Sequence, residues 1–152
     1  MFESGSIIYG LFQLKNETKN KYAIVLHNDN GNFIITTFTT SQPRSSVASP
    51  EHGANPKGKG NFKSYVFKAN IPIGTKPDGT DFSFSFDTTV VPDYGVASSS
   101  IQDFQKKASN LVKICDLYKK EYEDLIYTLY KCEDLDDEMY PIFEKVLQEI
   151  CE

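Results

Sequence analysis

The sequence contains no apolar run near the roughly 18–20 residues that a helix needs to cross a bilayer, so no membrane span is expected. Its opening residues, MFESGSIIYGLF, lack a basic n-region and carry Glu3, which argues against a secretory signal. Cysteine is scarce: Cys115, Cys132 and Cys151 are widely spaced and lie in apolar surroundings. Without a C-x-x-C or a Cys/His ligand pair, neither a zinc site nor a disulfide framework is expected, and no metal or other cofactor is implied. Such thiols suit a reducing cytoplasm. There is no G-x-S-x-G motif, no defensible Cys/His nucleophile pair and no internal repeat. The nearest thing to a nucleotide-binding loop, GANPKGKG at 53–60, ends in Gly60 where a magnesium-binding Ser or Thr is required. It also precedes a strand rather than a helix, so that reading is rejected.

What remains is a chain of 152 residues with 39% hydrophobic and 13% aromatic composition, enough for one packed domain with an appendage. Net charge is −5 but unevenly placed. Residues 1–118 hold 12 Lys/Arg against 10 Asp/Glu, a balance of +2, and residues 119–152 hold 4 against 11, a balance of −7. A mildly basic body permits nucleic-acid binding without a dominant basic field.

The strongest local signal is KYAIVLHNDNGNFIITTFTTSQ at 21–42. Two β-branched runs flank an Asn-Gly pair able to adopt positive φ, so a hairpin is expected. An apolar strand at 6–14, with both parities apolar, is expected to lie centrally. Residues 43–60, rich in Ser, Pro and Gly, read as a long mobile loop. Strands are expected over 62–73 and 81–91; Phe82, Phe84 and Phe86 alternate with polar residues as a half-buried strand requires. From Ser100, paired with Asp103 as a cap, apolar residues recur at 3-4 spacing through Cys132 and predict one long helix over 100–132. Such a helix is about 48 Å long, more than a small β domain covers, so two readings stand: it packs back on the barrel and on the second helix, or its distal half forms a homodimer seam or receives a partner helix. The acidic residues 133–138 suit a helix start, and a second helix is expected over 138–150, with Pro141 tolerable only in its first turn.

Several of these segments resemble the MazF/PemK/Kid family of toxin endoribonucleases, which shares a small SH3-like barrel with the gyrase poison CcdB. Gly5-Ser6-Ile7-Ile8-Tyr9 is similar to the family's opening strand, Lys21-Tyr22-Ala23-Ile24-Val25-Leu26-His27-Asn28-Asp29 to its second, and Ile34 through Ser41 to the next, which ends in an apolar-Thr-Ser segment. The later strand before the C-terminal helix would be 86–91. The family's second-strand arginine is Lys21 here, which keeps charge without bidentate geometry. Its D-Q-x-R signature has no clean counterpart; Asp87-Thr88-Thr89 stands near that place without an arginine.

The pattern of segments predicts an α+β protein. By the resemblance residues 1–99 would form an antiparallel SH3-like barrel; the 43–60 loop it carries and the helical hairpin over 100–152 exceed the family's usual small domain. The resemblance implies metal-independent cleavage of single-stranded RNA through the ribose 2′-OH and neutralisation by a cognate antitoxin. By motif, Thr40 and Ser41 would be phosphate donors and Lys21 the electrostatic partner. Arg44 is placed near the site by its position after Pro43, Asp87 or His27 is a candidate base, and Lys57, Lys59 and Lys63 are candidate RNA contacts. The alternative is a catalytically silent barrel that binds a protein partner through its C-terminal helices.

Overall fold

β1 (Ser6–Gln13) runs antiparallel to β2 (Thr18–Asn28), which turns back through Asp29–Phe33 into β3 (Ile34–Phe38). The structure, a computed structural model, describes residues 1–41, 51–55, 62–92 and 96–150. Asn30 and Gly31 adopt φ of 50° and 83°, and the Asn32 N–H donates to the Asp29 carbonyl at 2.9 Å. Positive φ at both central residues gives a primed turn whose twist matches its strands, as the Asn-Gly pair predicts.

Within the stretch expected to be loop, β4 (Gly53–Asn55) pairs with β5 (Ser64–Phe67). The rest of 43–60, apart from Glu51 and His52, lies outside the described residues. The two strands expected over 62–73 and 81–91 are each shorter than their apolar runs. β6 (Gly74–Thr75) and β7 (Asp81–Phe82) form a short hairpin, and β8 (Thr88–Val90) joins β5 in a different sheet. The chain therefore leaves one sheet after Phe82 and enters another at Thr88, which interrupts the Phe82–Phe84–Phe86 ladder. β9 (Ala97–Ser99) pairs with β3.

The helix expected over 100–132 is not continuous. It begins as α1 (Ile101–Lys106), capped by Ser100, whose hydroxyl accepts from the Asp103 N–H. Residues Ala108–Leu117 then form strand β10, which pairs with the outer edge of β1. Asn110, at φ 56°, sits where the β1–β10 register slips, a bulge geometry that asparagine tolerates better than most residues. Leu111 and Cys115 are four apart, as on one helix face, but the bulge where Ile7 pairs with Cys115 and Ile8 with Lys113 turns them to opposite faces of the sheet: Cys115 joins the core beneath α2 and α3, and Leu111 packs with Phe12 and Phe104. Helix resumes as α2 (Lys119–Tyr130), followed by a 3-10 turn at Asp137–Met139 and α3 (Tyr140–Ile150), with Pro141 in its first turn as required.

Among the described residues the strands form a seven-stranded sheet, ordered β7-β6-β10-β1-β2-β3-β9, and a three-stranded sheet, β4-β5-β8. All named pairs are antiparallel. A bridge between Thr40 and Thr89 stitches the two sheets, and these pairings do not close a barrel. The molecule is a mixed α+β fold with β1 fourth of seven, central as its two-sided apolar pattern predicts.

Both faces of the large sheet are covered. Ile7, Ile24, Leu26 and Ile35 pack with Tyr65, Phe67 and the α2 and α3 residues Leu125, Leu129 and Phe143. Ile8, Ala23, Val25 and Ile34 pack on the other face with Phe12 and Phe104. Each such buried side chain contributes roughly 1.5–3 kcal/mol. Leu125, Ile126 and Leu129 are buried in the chain's own core, so this part of the apolar stripe packs back on the sheet and on α3. β10, from the segment after residue 100, completes the sheet begun by β1.

β6 meets β10 so closely that a Cβ on Gly74 would run into the Asp116 carbonyl oxygen and lie 3.1 Å from Cys115 Sγ. Backbone cannot yield there as a side-chain tip would. Gly74→Ala is expected to lower unfolding free energy by about 1–3 kcal/mol, measured by urea titration.

Candidate functional site

At one end of the β1–β2–β3 sheet the strand ends and the β7–β8 connection enclose a concavity of about 400 Å³. The start of β2 contributes Lys19, Asn20, Lys21 and Tyr22. The chain leaving β3 contributes Thr39, Thr40 and Ser41. Tyr9 comes from β1, and the segment Phe82–Phe86 with Thr88 forms the facing wall. Strand register explains this grouping, because Tyr9 lies opposite Tyr22 and Ala23 opposite Phe38. The polar residues that open one strand and close its neighbour therefore meet.

Lys21, Thr40 and Ser41, singled out from the sequence, line this one concavity. The Lys21 ammonium donates to the Thr39 carbonyl at 3.5 Å, which holds its charge beside the hydroxyl-bearing strand end. Thr40 is fixed by reciprocal backbone bonds with Thr89, at 2.9 and 2.8 Å. Lys19, Asn20, Tyr9 and Tyr22 line the same concavity and no local pattern marks them, because register across strands is set by distant pairing. Among the described lining residues there are two lysines and neither a carboxylate nor an imidazole. The site therefore favours anions.

Its walls are aromatic. The Tyr9 and Tyr22 rings lie 4.6 Å apart, and Tyr22 meets Phe84 edge-on at 5.1 Å. Burial raises the Tyr22 phenol above its ordinary value, with Tyr9 adding to the effect, so the group is a neutral hydrogen-bond donor at physiological pH. Phe84 is buried, whereas Phe86 is 73% exposed at the rim.

Asp87, a candidate base, does not line the concavity although Phe86 and Thr88 on either side of it do. Its carboxylate accepts from the Lys68 ammonium at 2.7 Å and from the Ala69 N–H at 2.9 Å. These bonds hold its pKa below the ordinary carboxylate range, the wrong direction for a general base. His27 also lies apart. The parity that would align it with Lys21 runs through Ala23 and Val25, both fully buried, and the β2–β3 register slips between Val25 and His27. His27 instead sits at the hairpin turn, 3.8 Å from Asp29. Lys63 is exposed beside the small sheet, its backbone N–H bonded to Asn55, and is not part of the concavity. Arg44, Lys57 and Lys59 lie outside the described residues.

A second polar cluster, unforeseen from sequence, joins the small sheet to α2. The Lys68 N–H donates to His52 Nδ1 at 3.1 Å, so the ring proton sits on Nε2 and is donated to Glu121 Oε1 at 2.7 Å. Tyr65, 1% exposed, donates to the same oxygen at 2.9 Å. Burial, reinforced by the Glu121 charge, raises the Tyr65 phenol well above its usual value. Both ring nitrogens of His52 are engaged, so this cluster fastens elements together and offers no free base.

The Asp87 clamp carries a pH dependence. A folded pKa below the unfolded value of about 3.9 means that the folded state takes up the proton less readily. The resulting stabilisation is complete above about pH 5 and lost as pH falls through the folded pKa. Urea titrations at successive pH values should show this loss below pH about 4, and Asp87→Asn should reduce it, leaving the part carried by Glu3 and Asp78, whose carboxyls are also held below their ordinary range.

No family model, curated protein or solved structure matches the chain. The chemistry of the site rests on its own residues.

Proposed function

We propose that the concavity binds single-stranded RNA, and that the chain is a divergent toxin-type RNA-acting protein. The observation that carries this reading is the convergence of Lys19, Lys21, Thr40 and Ser41 on one surface, walled by tyrosine and phenylalanine rings and without a carboxylate among its described lining residues. Ammonium groups and hydroxyls suit phosphodiester oxygens, and aromatic faces suit unpaired bases. A duplex would not fit the same chemistry, because its bases are already stacked.

Metal-independent cleavage through the 2′-OH is the second reading, favoured by Lys21 standing beside the Thr40–Ser41 strand end. Its donors would stabilise a phosphorane, but the described lining supplies no carboxylate or imidazole as base, so binding is the better supported activity. The SH3-like relationship is supported by the β1–β2–β3 meander and its hairpin. An antitoxin would act by competing for this concavity. Partner binding through the C-terminal helices draws less support, because Leu125, Ile126, Leu129, Phe143 and Val146 are already buried in the chain's own core.

A labelled single-stranded oligoribonucleotide should bind with a salt-dependent affinity. The double variant Lys19→Ala/Lys21→Ala should weaken it and reduce the slope of log K against log salt by about 1.4, as loss of two single-strand phosphate contacts implies. Absence of binding by the unaltered protein at low salt would end the reading. The same incubation in EDTA tests cleavage, which requires fragments ending in a 2′,3′-cyclic phosphate.

A further inference from the structure

We infer that Phe86 is a base-stacking platform, the position at which the RNA site described above distinguishes an unpaired base from bare backbone. Within the Phe82–Phe84–Phe86 series the first two rings turn inward: Phe84 is 4% exposed, and Phe82 packs against it at 5.1 Å. Phe86 is 73% exposed. A phenylalanine ring gains nothing from water, and this one lines the same concavity as Lys19 and Lys21.

The ring is also held in place from its backbone. Immediately after it, Asp87 is fastened to Lys68 and to the Ala69 N–H. The Thr88 hydroxyl donates to the Phe86 carbonyl at 2.9 Å, and β8 begins at Thr88. An exposed aromatic side chain on an anchored segment is pre-organised, so little freedom is lost when a flat ligand settles on it. Across the concavity the paired Tyr9 and Tyr22 rings offer a second aromatic surface, with Lys19 and Lys21 beside them. Cations beside separate ring faces match a strand whose phosphates and bases alternate. Every base has a π-face, so such a platform is tolerant of sequence. The Asp87–Lys68 pair thereby takes a positioning role in place of the catalytic one expected from sequence.

This inference rests on the RNA reading, and its test separates the two. Binding of a fluorescent single-stranded oligoribonucleotide, an abasic oligonucleotide of the same length, and a duplex is measured by anisotropy for the unaltered protein, Phe86→Ala and Phe86→Tyr. The exposed ring supports no core, so its removal should leave the fold intact, checked by the urea midpoint. Phe86→Ala is expected to weaken the base-bearing strand about 10-fold, leave the abasic strand unchanged and keep the salt slope, while Phe86→Tyr binds like the unaltered protein. Equal affinity of Phe86→Ala and the unaltered protein for the base-bearing strand would overturn the platform and leave RNA binding standing. Equal loss for the abasic strand would also overturn it. An unaltered protein that binds none of the three would overturn the RNA reading itself, and the ring would then be the anchor of a protein contact.

Discussion

Both edges of β1 are paired, one by the neighbouring β2 and the other by β10 from the far half of the sequence. Most other features follow from that double pairing. It makes β1 central, so both of its faces must be apolar, and the sheet buries one core beneath the helices and another beside α1. It fixes β6 and β7 on the outside of β10, which brings the Phe82–Phe86 segment round to face the start of β2. It also requires close backbone contact. A Cβ on Gly10 would lie 3.2 Å from the Ser109 carbonyl oxygen and would also displace the tip of Leu111, so the β1–β10 approach is tight there.

The concavity is a by-product of strand ends. Lysines and an asparagine open β2, and threonines and a serine follow β3, because polar residues punctuate strands whose interiors are apolar. Antiparallel pairing places such punctuation marks side by side. The aromatic wall has another origin, since Tyr22, Phe84 and Phe67 form a chain of ring contacts, at 5.1 and 5.7 Å, that runs from the concavity into the main core. The site is thus built on packed residues rather than on a loose loop, which favours a fixed geometry for whatever it holds.

The parts that could be read from sequence are those governed by near neighbours. The Asn30-Gly31 turn, the Ser100 cap, the two-sided apolarity of β1 and the second helix with Pro141 in its first turn all depend on chemistry within a few residues. β10 was hidden because its apolar spacing fits a helix equally well, and only the distant edge of β1 decides in favour of a strand. Likewise, period two across Phe82–Phe86 says nothing of where a strand stops, so Phe86 resembled a core residue. Lys21, Thr40 and Ser41 could be named from strand ends, but Tyr9 and Lys19 depend on register, which no local pattern carries. Asp87 stood near the family's acidic position in sequence, yet Lys68 claims its carboxylate.

The pairing of β1 with β10 also bears on how the protein is born. β1 leaves the ribosome first, whereas residues 108–117 follow only after the intervening strands β2–β9 and α1. At roughly 5–20 residues per second, that edge stays without its partner for on the order of 5–20 s. An exposed, apolar strand edge of this kind is a template for pairing with other chains. A nascent chain that stalls before β10 is therefore not a smaller version of the protein but an unfinished sheet, and an obvious client for whatever shields new polypeptides.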